Sequence, residues 1–171
     1  MKRPVEACSH GLSGARFFMF EGARMNSISV TDAFGNAPPR SPCVLCMRGE
    51  KGGFVLQLTE WFTWLNIKHN PMLSFSMPRG GEAASLREGD RFLLAFPPAE
   101  EALRYRVAVR ADAGAELPVG TVQAPPEDFP APIPKGSEVV LDCTLSGAYN
   151  YPFKKVRIFN CNLEEALGLP D

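Results

Sequence analysis

Asn70-Pro71-Met72-Leu73-Ser74-Phe75-Ser76-Met77 is the stretch that decides the fold. Leu73, Phe75 and Met77 alternate with Ser74 and Ser76, so an extended segment carries one apolar and one hydroxylated face. Pro71 opens the segment, because the residue before a proline is pushed out of the helical region. The same period of two recurs on both sides. Val44-Leu45-Cys46-Met47 reads as a short strand, and Gly52-Gly53 turns the chain into Phe54-Val55-Leu56-Gln57-Leu58. Arg91 to Phe96 ends at Pro97-Pro98, and Val139, Leu141, Cys143 and Leu145 alternate with their neighbours. Lys155 to Leu163 is a final strand in which Val156 and Ile158 share one face and Phe159, Cys161 and Leu163 the other, a phase change that predicts a bulge or bend.

Helical signals are few. Trp61, Trp64, Leu65 and Lys68 fall at i, i+3, i+4 and i+7, which predicts a short helix with both indoles on one face. Glu82 to Glu88 reads as a second short helix stopped by Gly89, and Ala99-Glu100-Glu101-Ala102-Leu103 as a helix start after the proline pair. Glycine (15) and proline (16) together approach a fifth of the 171 residues, which argues against a helical bundle. Five or six short strands with a few short helices describe a small closed β-barrel with helices at its edge. One domain spans residues 41–171. Residues 1–40 form an N-terminal extension, read either as an added hairpin or as a loose segment, with a turn signal at Asp32 to Asn36. The proline-rich stretch 113–136 reads either as a functional or mobile loop or as a long surface excursion.

Composition limits the function. With 45% hydrophobic residues the chain folds, and a net charge of −1 gives no global reason to bind nucleic acid or an anionic membrane. No stretch approaches the about 20 apolar residues of a membrane span, and five cysteines, an odd number, suit a reducing, cytoplasmic setting better than a disulfide framework. Cys43-x-x-Cys46 lies in a strand, where positions i and i+3 face opposite ways, so ordinary buried thiols are expected rather than a redox pair or a zinc site. Motifs of nucleophilic, phosphate-loop and metalloprotease chemistry are missing, and His10 and His69 stand in no constellation.

The succession from residue 42 to 98 resembles the flavin reductase-like, FMN-binding split-barrel family, which includes flavoredoxins. The pieces that carry the resemblance are Pro42-Cys43-Val44-Leu45, Gly52-Gly53, Leu58-Thr59-Glu60-Trp61-Phe62, Asn70 to Met77, Arg79-Gly80-Gly81-Glu82-Ala83-Ala84-Ser85-Leu86 and Phe92 to Pro97. The resemblance implies a mainly β, Greek-key split barrel with a few short edge helices, forming a homodimer with one FMN near each edge of the interface. It implies NADH or NADPH as electron donor, and chemistry that the flavin carries.

Residue chemistry names the candidate contacts. An FMN phosphate calls for hydroxyls, amides and a forked cation, which Arg79 and Ser85 in a glycine-rich loop and Ser74 and Ser76 on the polar strand face could offer. Thr59, Glu60 and Trp61 could offer backbone N–H groups and a flat wall to the isoalloxazine. The chain departs from the family in several places: Gln57-Leu58-Thr59-Glu60 stands where members carry a more hydroxyl- and asparagine-rich segment, Glu60 is an acid, Tyr149 to Lys155 lacks the histidine many members carry there, and the start before Pro42 is long. The alternatives are an FMN electron carrier without its own reductase activity, and a flavin-free interaction protein.

Overall fold

The computed structural model describes residues 25–50, 52–111, 122–123 and 131–168. The extension residues before 25 and most of the stretch 113–136 lie outside the described residues. In chain order the elements are β1 (Asn26–Ser27), α1 (Val30–Asn36), β2 (Val44–Arg48), β3 (Phe54–Leu58), β4 (Trp61–Asn66), β5 (Met72–Pro78), a 3-10 turn (Glu82–Ser85), β6 (Arg91–Phe96) and α2 (Ala99–Ala102). A second 3-10 turn (Leu103–Tyr105) leads to β7 (Val109–Ala111), β8 (Val122–Gln123), β9 (Ile133–Pro134), β10 (Val139–Asn150) and β11 (Val156–Gly168).

The main sheet runs in the order β4-β5-β11-β10-β6-β2-β3-β7, with β1 added to β11, and every pairing in it is antiparallel. β3 and β4 lie near opposite ends of this order yet only Thr59 and Glu60 separate them. The main chain itself therefore closes the sheet into a barrel. At the crossing the Thr59 N–H donates to the Cys43 carbonyl (2.8 Å), beside β2, and the Glu60 N–H donates to the Ser76 carbonyl (2.9 Å) on β5. A single strand thus changes partners halfway, one way a small barrel leaves few open edges.

Inside lie Leu45, Met47, Phe62, Leu73, Phe75, Met77, Phe92, Leu94, Leu141, Cys143, Phe159 and Cys161, all buried in one cluster. Phe75 stacks on Phe159 with centroids 5.1 Å apart, and Phe62 meets Phe96 edge to face at 4.9 Å. A second cluster covers the outer side, where Val44, Cys46, Leu56, Leu93, Ala95 and Val140 pack under Ala102, Tyr105, Ala131 and Ile133. Cys43 and Cys46 fall into different clusters, as opposite strand faces require, and all four described cysteines are buried and free.

Three local readings are corrected. Residues 61–66 form strand β4 instead of a helix, because pairing with β5 places Phe62 and Trp64 inward and Trp61 and Thr63 outward. Aromatic and β-branched side chains suit a half-buried pleat, and long-range pairing overrides a short helical spacing. Glu82–Ser85 makes one 3-10 turn and stops at Leu86, short of the helix expected to Glu88. The bulge expected within Lys155 to Leu163 lies elsewhere. β11 pairs with β5 without interruption from Val156 to Asn162, and the register shifts fall at Ser146 on β10 and Glu164 on β11. Val156 and Ile158 are buried on the outer face, so both faces of this strand are apolar.

Residues 30–36 are helical where the sequence reads as a turn. Ser29 caps α1 by accepting from the Asp32 N–H (3.1 Å), and Asp32 sits in the first turn near the positive end of the dipole. Ala33 and Ala37 are buried, and the helix packs Phe34 edge to face on Trp64 (5.8 Å). Trp64 donates its indole N–H to the Ala37 carbonyl at 2.8 Å. α1 thus covers the side of the barrel where β4 is the last strand.

Candidate functional site

The sequence-derived residues gather around the far end of β5, on either side of the loop that follows it. On the outer face of the sheet, register puts Trp61, Ser76, Ile158 and Tyr149 in one row across β4, β5, β11 and β10. The next row holds Thr63, Ser74 and Asn160. Ser74 Oγ donates to Asn160 Oδ1 (2.8 Å). Ser76 is buried between Trp61 and Ile158, and its hydroxyl has no hydrogen-bond partner among the described residues. An unpaired buried hydroxyl costs free energy unless a further group reaches it.

Arg79 is exposed and works on the main chain. Its N–H donates to the Lys155 carbonyl (2.9 Å), its Nε to the Val156 carbonyl (3.3 Å), and its Nη2 to the Tyr151 carbonyl. It therefore fixes the turn between β10 and β11 against the end of β5. A guanidinium has five N–H donors, so Nη1 and one hydrogen of Nη2 stay available after these contacts. Thr59 and Glu60 are committed too. Thr59 Oγ1 donates to the Cys43 carbonyl at 3.0 Å, and both main-chain N–H groups hold the barrel crossing, which leaves neither amide for a ligand. Glu60 is exposed and Trp61 half exposed at the edge of this surface.

A groove of about 410 Å³ opens on the other side of the loop. Its walls are the β2–β3 turn (Gly49, Glu50, Gly53) with Phe54 and Val55, the segment Gly81 to Arg87, and Arg110 from β7. Ser85 is the one sequence-derived site residue that lines it. Ser85 Oγ donates to the Glu82 carbonyl (2.9 Å), and Arg110 pairs with Glu82 across the opening. Arg87 Nη1 caps the Ala84 carbonyl at 2.9 Å. The amides of Glu82 and Ala83 begin the 3-10 turn, where no preceding carbonyl of the turn can accept them. The volume lies within the about 300–1,000 Å³ of small-molecule sites.

Gln57 is the residue that sequence reading missed. It shares the inward parity of Val55 on β3, its Oε1 is buried without a partner among the described residues, and a Cβ on Gly81 would lie 3.9 Å from that oxygen. A carboxamide on the inward side of an otherwise apolar strand was the available signal. Arg110 carried none, because the strand that places it, β7, is only three residues long.

No protein-family profile and no curated sequence matches the chain. Solved structures do. The flavin reductase of styrene monooxygenase from Pseudomonas putida S12 superposes with a TM-score of 0.57 at 15% identity, over 81% of this chain and 84% of that one. The chain has the split-barrel fold of the flavin reductases. An NADH:FAD oxidoreductase from Streptomyces globisporus gives 0.58 at 16% identity over 82% and 81% of the two chains. A flavoredoxin from Methanosarcina acetivorans gives 0.53 at 18% identity over 76% and 69%. The mainly β split-barrel reading, with a few short helices at its edge, holds. Among the described residues no helix is long and apolar enough to cross a membrane.

Proposed function

We propose that this split barrel is a flavin reductase-like oxidoreductase that binds FMN and takes electrons from a nicotinamide nucleotide. The observation that carries the reading is the groove beside the β5 loop in a fold shared with flavin reductases. The groove supplies an apolar wall (Phe54, Val55, Ala84), the Arg87 guanidinium, Arg110 in its pair with Glu82, and the Ser85 hydroxyl oxygen, a lining that fits a phosphorylated aromatic ligand. Arg79 keeps N–H donors for the phosphate while holding the neighbouring turn, and the Ser76 hydroxyl awaits a partner beside Trp61. Bound FMN supplies hydride acceptance and onward electron transfer. The protein's own residues bind, orient and exclude water. The oxidoreductase from S. globisporus was solved with NAD and FAD fragments, which supports a nicotinamide donor here. The homodimer, with FMN near the interface edge, carries over from the family resemblance.

Anaerobic mixing of the FMN-loaded protein with NADH or NADPH tests the donor. Bleaching of the flavin band, faster than for free FMN, is expected. If FMN binds but neither nucleotide bleaches it, the protein is an electron carrier of the flavoredoxin kind, a reading the structural likeness to the M. acetivorans protein favours as the second choice.

A further inference from the structure

The turn between β10 and β11 combines exposed rings with unpaired positive charge. Phe153 is 86% exposed and meets Tyr151 edge to face at 6.1 Å. Tyr149 and Tyr151 are exposed as well. Lys154 and Lys155 are exposed and form no ion pair among the described residues. From Cys143 to Leu163 the chain carries no Asp or Glu, so no acid in either flanking strand segment neutralises these lysines. The turn is also held in place, by the Arg79 contacts to the Tyr151 and Val156 carbonyls and by the Tyr151 N–H to Val156 carbonyl bond (3.1 Å). Rings on a fixed turn beside two free ammonium groups match a ligand with a flat base and a phosphate near it. Base stacking on aromatic side chains with lysines on the phosphate is a common recognition mode.

We infer that this turn binds an adenine nucleotide. The base stacks on the face of Phe153 with Tyr151 edge-on beside it, the 2′-phosphate lies against Lys154 and Lys155, and a 2′-phosphorylated nicotinamide dinucleotide is therefore preferred over the unphosphorylated one. The assignment rests on the oxidoreductase reading above and adds the residues that select the donor. It is tested by calorimetric titration of the flavin-free full chain with 2′,5′-ADP and with 5′-AMP, in parallel with FMN. The parent protein should bind 2′,5′-ADP more tightly than 5′-AMP. Phe153→Ala should weaken both about tenfold. The double variant Lys154→Ala/Lys155→Ala should abolish the preference for 2′,5′-ADP. FMN affinity should stay within about twofold in both variants, which also shows that they fold. No binding of 2′,5′-ADP by the parent, or equal binding by parent and variants, overturns the assignment. So does a Phe153→Ala variant that loses its dimer in sedimentation, or parent protein that pellets with phosphatidylserine vesicles only when Phe153 is present. A chain that binds 2′,5′-ADP through this turn but never FMN refutes the flavin reading and leaves the turn standing. FMN binding without 2′,5′-ADP binding refutes the turn alone.

Discussion

Arg79 connects two regions that the sequence reading treats separately, the loop after β5 and the turn after β10. Replacing it removes the main-chain contacts and, on the proposed function, a charged hydrogen bond to the FMN phosphate. Such a bond contributes about 1.5–3 kcal/mol, so Arg79→Ala should weaken FMN binding about tenfold to a hundredfold in an equilibrium titration. Unchanged affinity moves the phosphate to Arg87 and Arg110. The buried thiols make a second residue-scale prediction. Desolvation raises the pKa of Cys43 and Cys46, and in Cys143 desolvation is reinforced by the neighbouring Cys161. A folded-state pKa above the unfolded one means that the unfolded chain loses protons first. The stabilisation is complete below the ordinary thiol pKa of about 8.5 and declines as pH rises above it. The urea midpoint should therefore fall between about pH 8 and 9.5. A flat midpoint over that interval contradicts the buried, neutral thiols. That burial was legible from Cys43-x-x-Cys46 in an alternating strand, whereas the role of Arg79 was not. Nothing in a glycine-rich loop says which carbonyls, more than 70 residues on, the guanidinium will meet.

At the scale of elements, strands with strict alternation were readable and those with competing signals were not. β5 follows period two, with Leu73, Phe75 and Met77 in the barrel interior where the alternation puts them. β3 instead turns Val55 inward and packs Phe54, Leu56 and Leu58 on the outer cluster, and β6 is buried on both faces. β4 was misread because Trp61, Trp64 and Leu65 fit a helix by spacing, and only its partner β5 decides between the two. α1 was missed because Asp32, Gly35 and Asn36 are turn residues. The three-residue spacing from Ser29 to Asp32 is nevertheless a capping pattern, and the structure uses it. Trp64 links both elements through its bond to the Ala37 carbonyl. Trp64→Phe keeps the ring packing on Phe34 and Phe62 but removes that bond, a loss of about 1 kcal/mol. Hydrogen exchange at the Ala33 and Ala37 amides should quicken about fivefold while the amides of β10 and β11 stay protected. Equal acceleration everywhere shows that the bond supports the whole barrel instead of α1.

Over the whole molecule, alternation and turns implied a barrel but not how it closes. The closure depends on one strand that leaves β2 at Thr59 and joins β5 at Glu60, a change of partner with no local sequence mark. The candidate site was legible only as a set of residue types near the end of β5. The structure separates that set, with Ser85 in the groove, Ser74 and Ser76 on the outer sheet face and Arg79 between them. On the proposed function the groove takes the ligand, and that ligand is a flavin. The most direct test is the visible spectrum of the purified full-length protein, recorded before FMN is added and after FMN loading and desalting. Flavin bands that are shifted from those of free FMN and remain with the protein through desalting are the predicted result. A spectrum indistinguishable from free FMN that disappears on desalting, with no saturable binding up to high micromolar FMN, contradicts the account.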